Sequence, residues 1–68
     1  MAVLTAEKRT GHVYDVMLSL VTNDEQQVYK IFDNVEDARI YIDQFLKTDD
    51  QFEFVIYDKN QKPISFNR

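Results

Sequence analysis

The period with which apolar residues recur changes twice along this chain, and this change restricts the fold more than any other feature. Apolar and polar residues alternate over residues 11–22 and again over 52–58, as in strands that bury one face, and a turn and a second extended segment follow each of these stretches. Between them, the apolar positions from about Val35 to Lys47 follow the 3.6-residue period of a helix. The expected order of elements is therefore ββαββ.

Each alternating stretch is expected to form an antiparallel hairpin with the extended segment that follows it. The first gives strands at 11–22 and 27–32. The second gives strands at 52–58 and 63–67, where Asn60 is the expected left-handed turn residue and Pro63 favours an edge strand. These elements predict an α+β fold, a four-stranded antiparallel sheet with one helix packed on one face.

A chain of 68 residues has room for one domain. Residues 1–10 show little periodicity, and we interpret them as an N-terminal arm, either flexible or forming a short extra element. Residues 11–68 form the single α+β domain of this prediction.

The helix has a clear start and a clear buried side. Asn34 is a good N-cap, with Asp37 three residues later, and Ile40 falls outside the apolar stripe that faces the sheet. The stripe and the strands supply the predicted core, which consists of Val16, Leu18, Ala38, Tyr41, Ile42, Phe45, Phe54 and Ile56.

The sequence offers few side chains for catalysis or metal binding. Cysteine is absent, which excludes disulfides and thiolate metal sites, and His12 is the single histidine. Neither Ser19 nor Ser65 lies in a nucleophile motif, and the adjacent Asp49 and Asp50 are typical of solvated loop acids. We therefore expect no enzymatic activity, no catalytic residue, no cofactor and no metal.

The charge of the chain disfavours nucleic acid as a partner. Twelve acidic residues against eight Lys and Arg give a formal charge of -4, whereas nucleic-acid binding depends on basic side chains. The basic residues that could serve are Lys30, Lys59, Lys62 and Arg68. No apolar run approaches the ~20 residues of a membrane-spanning helix, and the first residues lack the pattern of a signal peptide. We expect a cytoplasmic protein that does not bind membranes.

The sheet face away from the helix is the candidate protein interface, because it is more apolar than a solvated face requires. Its expected residues are Met17, Val55 and Tyr57, assisted by Ile40, Glu36 and Asp43. The expected function is a small non-enzymatic protein-binding module that modulates or inhibits a larger intracellular protein, by analogy of size and charge with phage or mobile-element accessory proteins. Self-association as a homodimer is a second option for this face. The alternative function is small-ligand or nucleic-acid binding on the aromatic sheet.

Overall fold

The computed structural model describes residues 1–67, and within them the chain forms one helix and one open antiparallel sheet of five strands. The elements are β1 (Ala2–Glu7), β2 (Val13–Tyr14), β3 (Tyr29–Ile31), α1 (Val35–Thr48), β4 (Phe52–Tyr57) and β5 (Pro63–Asn67). The predicted α+β class is confirmed. The number of strands is five instead of four, and their order differs from the predicted one.

Of the two expectations for residues 1–10, the flexible arm is wrong and a short extra element is present, since β1 is an interior strand of the sheet. It pairs with β4 from Ala2 to Glu7 on one side. On its other side, β3 pairs with Ala2 to Leu4 and β2 pairs with Thr5 and Ala6. From Ala2 to Ala6 the residues on both faces of β1 are apolar or small, so this part of the strand shows no alternation between apolar and polar residues that a period of two could reveal.

The predicted long strand at 11–22 is also wrong, because the chain reverses within it. Residues Val13 and Tyr14 form β2, and Tyr14 then makes an isolated antiparallel bridge with Leu20. The predicted hairpin between 11–22 and 27–32 does not form. Instead, β2 and β3 lie end to end along the same edge of β1.

The helix begins where the sequence predicts it. Asn34 is the N-cap, and its Oδ1 accepts a 2.9 Å hydrogen bond from the backbone N–H of Asp37. Glu36 and Asp37 place negative charge at the positive end of the helix dipole. The helix ends at Thr48, and the N–H of Asp49 donates to the carbonyl of Phe45.

The core lies between α1 and one face of the sheet, and half of the predicted core is confirmed as fully buried. Its buried apolar residues are Val3, Ala38, Ile42, Phe52, Phe54 and Ile56. Tyr41 and Phe45 are half-buried and pack against this cluster. Val16 is only half-buried and Leu18 is 43% exposed, because both belong to the chain reversal and not to a strand.

The turn between β4 and β5 differs from the prediction by one position. Gln61 has a φ of 64°, so Gln61 and not Asn60 is the left-handed residue. The Asp58 side chain determines this turn, because its Oδ1 accepts hydrogen bonds from the N–H groups of Asn60 (2.8 Å) and Lys62 (3.0 Å).

Candidate functional site

Most of the exposed large apolar side chains gather on two surfaces. Met17, Leu18 and Leu20 lie on the chain reversal after β2, which we call the hairpin tip (residues 16–20). Tyr29, Ile31 and Phe66 lie on strands, on the sheet face opposite the helix. Ile64 lies in β5 beside the register shift, and Ile40 is exposed on α1. Exposed apolar residues that cluster are the usual mark of a binding surface, whereas scattered ones are not.

The turn of the hairpin tip is a tight three-residue loop, residues 16–18, between Asp15 and Ser19. The N–H of Asp15 donates to the carbonyl of Ser19, and the N–H of Leu18 donates to the carbonyl of Asp15, both at 2.9 Å. This is the geometry of a turn followed by one left-handed residue, and Leu18 has the required positive φ of 62°. Met17 therefore stands at the apex, with 80% of its surface exposed.

The carboxylate of Asp15 holds the loop from inside. Its Oδ1 accepts hydrogen bonds from the N–H groups of Met17 and Ser19, each at 2.9 Å. Its Oδ2 accepts a 2.8 Å bond from Nε2 of Gln26, and only 8% of the Asp15 surface is exposed. Oε1 of Gln26 in turn accepts from the N–H groups of Thr22 (2.6 Å) and Asn23 (3.1 Å). The two side chains therefore connect the hairpin tip to the rest of the 15–28 loop.

The hydrogen bonds to Asp15 also determine its protonation. The bond from Gln26 and the backbone bonds from Ser19 and Met17 hold the pKa of the Asp15 carboxyl below its ordinary value of 3.8, because they stabilise the charged form. Desolvation acts in the opposite direction and is outweighed. The loop is therefore held by a carboxylate that stays ionised at neutral pH.

Leu18 has an unfavourable backbone conformation. For a residue with a Cβ atom, the left-handed conformation costs about 1–2 kcal/mol, and such positions are normally glycine or asparagine. The Leu18 side chain is 43% exposed, so burial returns only part of that cost. Backbone strain of this kind clusters at functional positions in proteins.

The second surface is the sheet face that α1 leaves uncovered, and we call it the open face. The strand register places on it Val13 of β2, Ala2, Leu4 and Ala6 of β1, Tyr29 and Ile31 of β3, Glu53, Val55 and Tyr57 of β4, and Phe66 of β5. Among these residues of the described strands, Glu53 alone is charged. The rings of Tyr29 and Tyr57 meet edge to face, with centroids 5.9 Å apart.

The two tyrosines border a cavity on the open face, which we call the tyrosine cavity. Its volume is about 330 Å³, and its lining consists of Ala2, Tyr29, Ile31, Tyr57, Asp58 and Gln61. Ala2, from the central strand, forms its floor between the flanking positions of Ile31 and Tyr57.

The structure separates the predicted interface residues into three places. Val55 and Tyr57 lie on the open face, as predicted, and both are half-buried. The prediction that Met17 shares that sheet face is wrong, because Met17 lies in the turn of the hairpin tip. Three further residues, Glu36, Ile40 and Asp43, are exposed on α1 and so lie on the opposite side of the molecule from the open face.

Several residues of the two surfaces were not predicted from the sequence. Asp15 was assigned to a strand, although a short acidic side chain that can bond backbone N–H groups two and four residues later is a turn signal. Leu4 and Ile31 were not assigned to the interface, because the open face requires β1 in the centre of the sheet.

The few side chains considered for chemistry do not converge. His12 is exposed, and its backbone N–H donates to Oγ1 of Thr10 at 3.2 Å. Among residues 1–67, no group of three or more His, Cys, Asp or Glu side chains is placed to hold a metal ion. Burial raises the pKa of the Tyr41 phenol above 10.0.

Of the basic residues considered for nucleic acid, those that the structure describes do not form one group. Nζ of Lys30 lies 5.4 Å from the ring centroid of Tyr41, on the helix side of the sheet. Lys59 and Lys62 are exposed in the turn after β4, and Arg68 lies outside the described residues.

Comparison of the chain with protein-family models, with characterised proteins and with solved structures gives no match. Within residues 1–67, no helix has the length and apolar character needed to cross a membrane.

Proposed function

We propose that this chain is a small non-enzymatic protein-binding module of the cytoplasm, which inserts the hairpin tip into an apolar pocket of a larger protein and so modulates or inhibits it. The observation that carries the proposal is an exposed apolar apex, Met17, on a loop whose backbone is held by an internal carboxylate. The chain lacks cysteine and is acidic, and this composition suits a reducing, protein-rich compartment.

Pre-organisation makes the hairpin tip suitable for binding. A loop that is already ordered loses less conformational entropy when it binds than a flexible one. The Asp15 and Gln26 bonds provide that order before any partner is present. The methionine side chain at the apex is flexible and polarisable, so it can adapt to an irregular apolar pocket.

The strain at Leu18 supports the same interpretation. Glycine or asparagine would satisfy the turn at lower backbone cost, but either would remove an apolar side chain next to Met17. A leucine here is explained if its side chain becomes buried against a partner. Burial of the exposed parts of Met17, Leu18 and Leu20 would then form the central contact of the interface.

The charges of the same loop determine which partner would approach fastest. Asp24 and Glu25 are exposed in the 15–28 segment, and the whole chain carries a formal charge of -4. A partner with basic residues around its apolar pocket would be attracted at long range. We therefore propose a basic rim around an apolar pocket as the complementary surface.

A second candidate function is the binding of a small apolar ligand in the tyrosine cavity. Its volume of about 330 Å³ is at the lower end of the range of ligand pockets, about 300–1,000 Å³, and two aromatic rings border it. Native mass spectrometry of the purified chain tests this candidate, because a bound ligand would add its mass to the 8.1 kDa chain.

The proposed function is tested by site-specific photocrosslinking in native cytosol. A photoreactive residue at position 17 is expected to capture one protein, whereas the same residue at position 40, an exposed apolar position on the helix, is not. Added in excess as unlabelled competitors, the wild-type and Met17→Leu chains are expected to suppress this crosslink, whereas Met17→Glu is expected to compete at least tenfold more weakly.

His12→Ala provides the control, because His12 is exposed and lies outside the hairpin tip. Circular dichroism of every variant establishes that the fold is intact. Equal capture from positions 17 and 40, or full competition by Met17→Glu, would contradict the proposal.

A further inference from the structure

The open face carries an exposed aromatic ring and a cavity that can receive one. Phe66 on β5 is 58% exposed, and the tyrosine cavity lies over Ala2 of β1 on the same face. We propose that the open face binds a second copy of this chain, in a two-fold dimer in which each Phe66 enters the tyrosine cavity of the other copy. This proposal does not depend on the hairpin tip and goes beyond the proposed function.

The area of the open face matches the requirement of a stable dimer. Tyr29, Ile31 and Phe66 are 44%, 67% and 58% exposed. At about 200 Å² for each large side chain they offer about 300 Å², and the half-buried Leu4, Val55 and Tyr57 bring the apolar area to about 450 Å². A standard interface takes about 800 Å² from each partner, of which about 65% is apolar in homodimers, or about 500 Å². The open face therefore supplies the apolar part of such an interface.

The positions of the ring and the cavity satisfy two-fold symmetry. In a two-fold interface, when one residue contacts another across the interface, the reciprocal contact also forms. Phe66 is in register with Val55 and Leu4, two residues along the strands from Ala2, and lies two strand spacings from β1, so the ring and the cavity are separated by about 12 Å. A two-fold axis parallel to the sheet surface, midway between the ring and the cavity and perpendicular to the line that joins them, places each ring over the cavity of the other copy. Two sheets packed face to face at about 10 Å leave room for interdigitated side chains.

This reciprocity favours a second copy over an unrelated protein. A second copy supplies both a ring for the cavity and a cavity for the ring, at the same separation. An unrelated partner would need only one of the two features. Among the described residues, charge at the contact is limited to Glu53, on the strands, and Asp58, which borders the cavity and whose Oδ1 accepts hydrogen bonds from the N–H groups of Asn60 and Lys62. The formal charge of the whole chain, -4, adds a long-range repulsion between the two copies that salt screens.

The salt dependence of the affinity also distinguishes a second copy from a basic protein partner. The Debye length is about 8 Å at physiological ionic strength, so added salt weakens the repulsion between two acidic chains. Self-association is therefore expected to strengthen between 50 mM and 500 mM salt. Binding to a basic protein would weaken over the same range.

The test is sedimentation equilibrium of the full chain together with a mixing experiment. The wild-type chain is expected at twice its mass of 8.1 kDa at about 100 µM, because interfaces of standard size have affinities of micromolar or tighter. Phe66→Ala removes the ring, and Ala2→Leu fills the cavity. Each variant alone is expected to lose at least tenfold in self-association.

Mixing the two variants restores one of the two contacts. The Phe66 ring of the Ala2→Leu chain can enter the intact cavity of the Phe66→Ala chain, so the mixture is expected to form heterodimers more strongly than either variant forms homodimers. Ile31→Trp fills the cavity from β3 and replaces Ala2→Leu if that chain does not fold, as judged by circular dichroism. Ile40→Ala, on the helix, is the control that leaves the dimer unchanged.

Three results would overturn the proposal. The first is a wild-type chain that stays monomeric up to about 1 mM, including one that carries a bound small molecule in native mass spectrometry. The second is a dimer that tolerates both variants, and the third is a mixture no stronger than its components. Each of these results leaves the photocrosslinking from position 17 unaffected, so failure of the dimer and failure of the proposed function are distinguishable.

Discussion

Replacing Val3 with alanine tests whether the N-terminal strand is the centre of this fold. Val3 is 1% exposed, pairs with Ile56 on one side and Lys30 on the other, and faces the helix. Val3→Ala removes two methyl groups, at about 0.8 kcal/mol each, and leaves a cavity of about 50 Å³ that costs about 1 kcal/mol more. The expected loss of unfolding free energy is about 2–3 kcal/mol. This is a large share of the roughly 3–10 kcal/mol expected for a chain of this size.

The assay is urea denaturation followed by far-UV circular dichroism, since the chain contains no tryptophan. With an m-value of about 1 kcal/mol/M, the midpoint is expected to fall by about 2–3 M. Val3→Thr, which keeps the shape and introduces a hydroxyl, is expected to destabilise as well, because the site is buried. Lys8→Ala, just beyond the end of β1, is the control. A midpoint within 0.5 M of wild type for Val3→Ala would refute the central position of β1 and, with it, the open face that β1 completes.

Two further predictions concern local structure. Asn34→Ala is expected to reduce stability by about 1 kcal/mol, since it removes the 2.9 Å bond to the Asp37 N–H, whereas Asn34→Asp is expected to be nearly neutral in the same denaturation assay. Because the pKa of Asp15 in the folded chain lies below 3.8, its contribution to stability is fully present above that value and is lost as the pH falls through the lowered pKa. Amide hydrogen exchange of Met17 and Ser19 is therefore expected to accelerate in acid relative to amides of the helix. Asp15→Asn is expected to remove that acid dependence. An unchanged pH profile in the variant would contradict this assignment.

The helix could be predicted from the sequence because its signals are local. The Asn34 cap bonds a residue three positions away, and the apolar stripe is set by the geometry of a single element. The alternation in β4 is equally local, so the buried side of Phe54 and Ile56 and the opposite side of Val55 and Tyr57 were both predicted correctly. These are features that the neighbouring residues decide.

The tertiary structure decided the position of β1 and the course of the chain after β2. Thr5 and Ala6 pair with the neighbouring β2, but Ala2–Leu4 pair with β3, at least 25 residues later, and the whole of β1 pairs with β4, about fifty residues later. Residues 13–21 alternate as a strand would, yet Asp15 bonds the N–H groups of Met17 and Ser19 and turns the chain back on itself. Alternation records which residues are apolar, but hydrogen bonds between distant strands determine which face each residue joins. For this physical reason the hairpin tip and the open face became visible only in the folded chain.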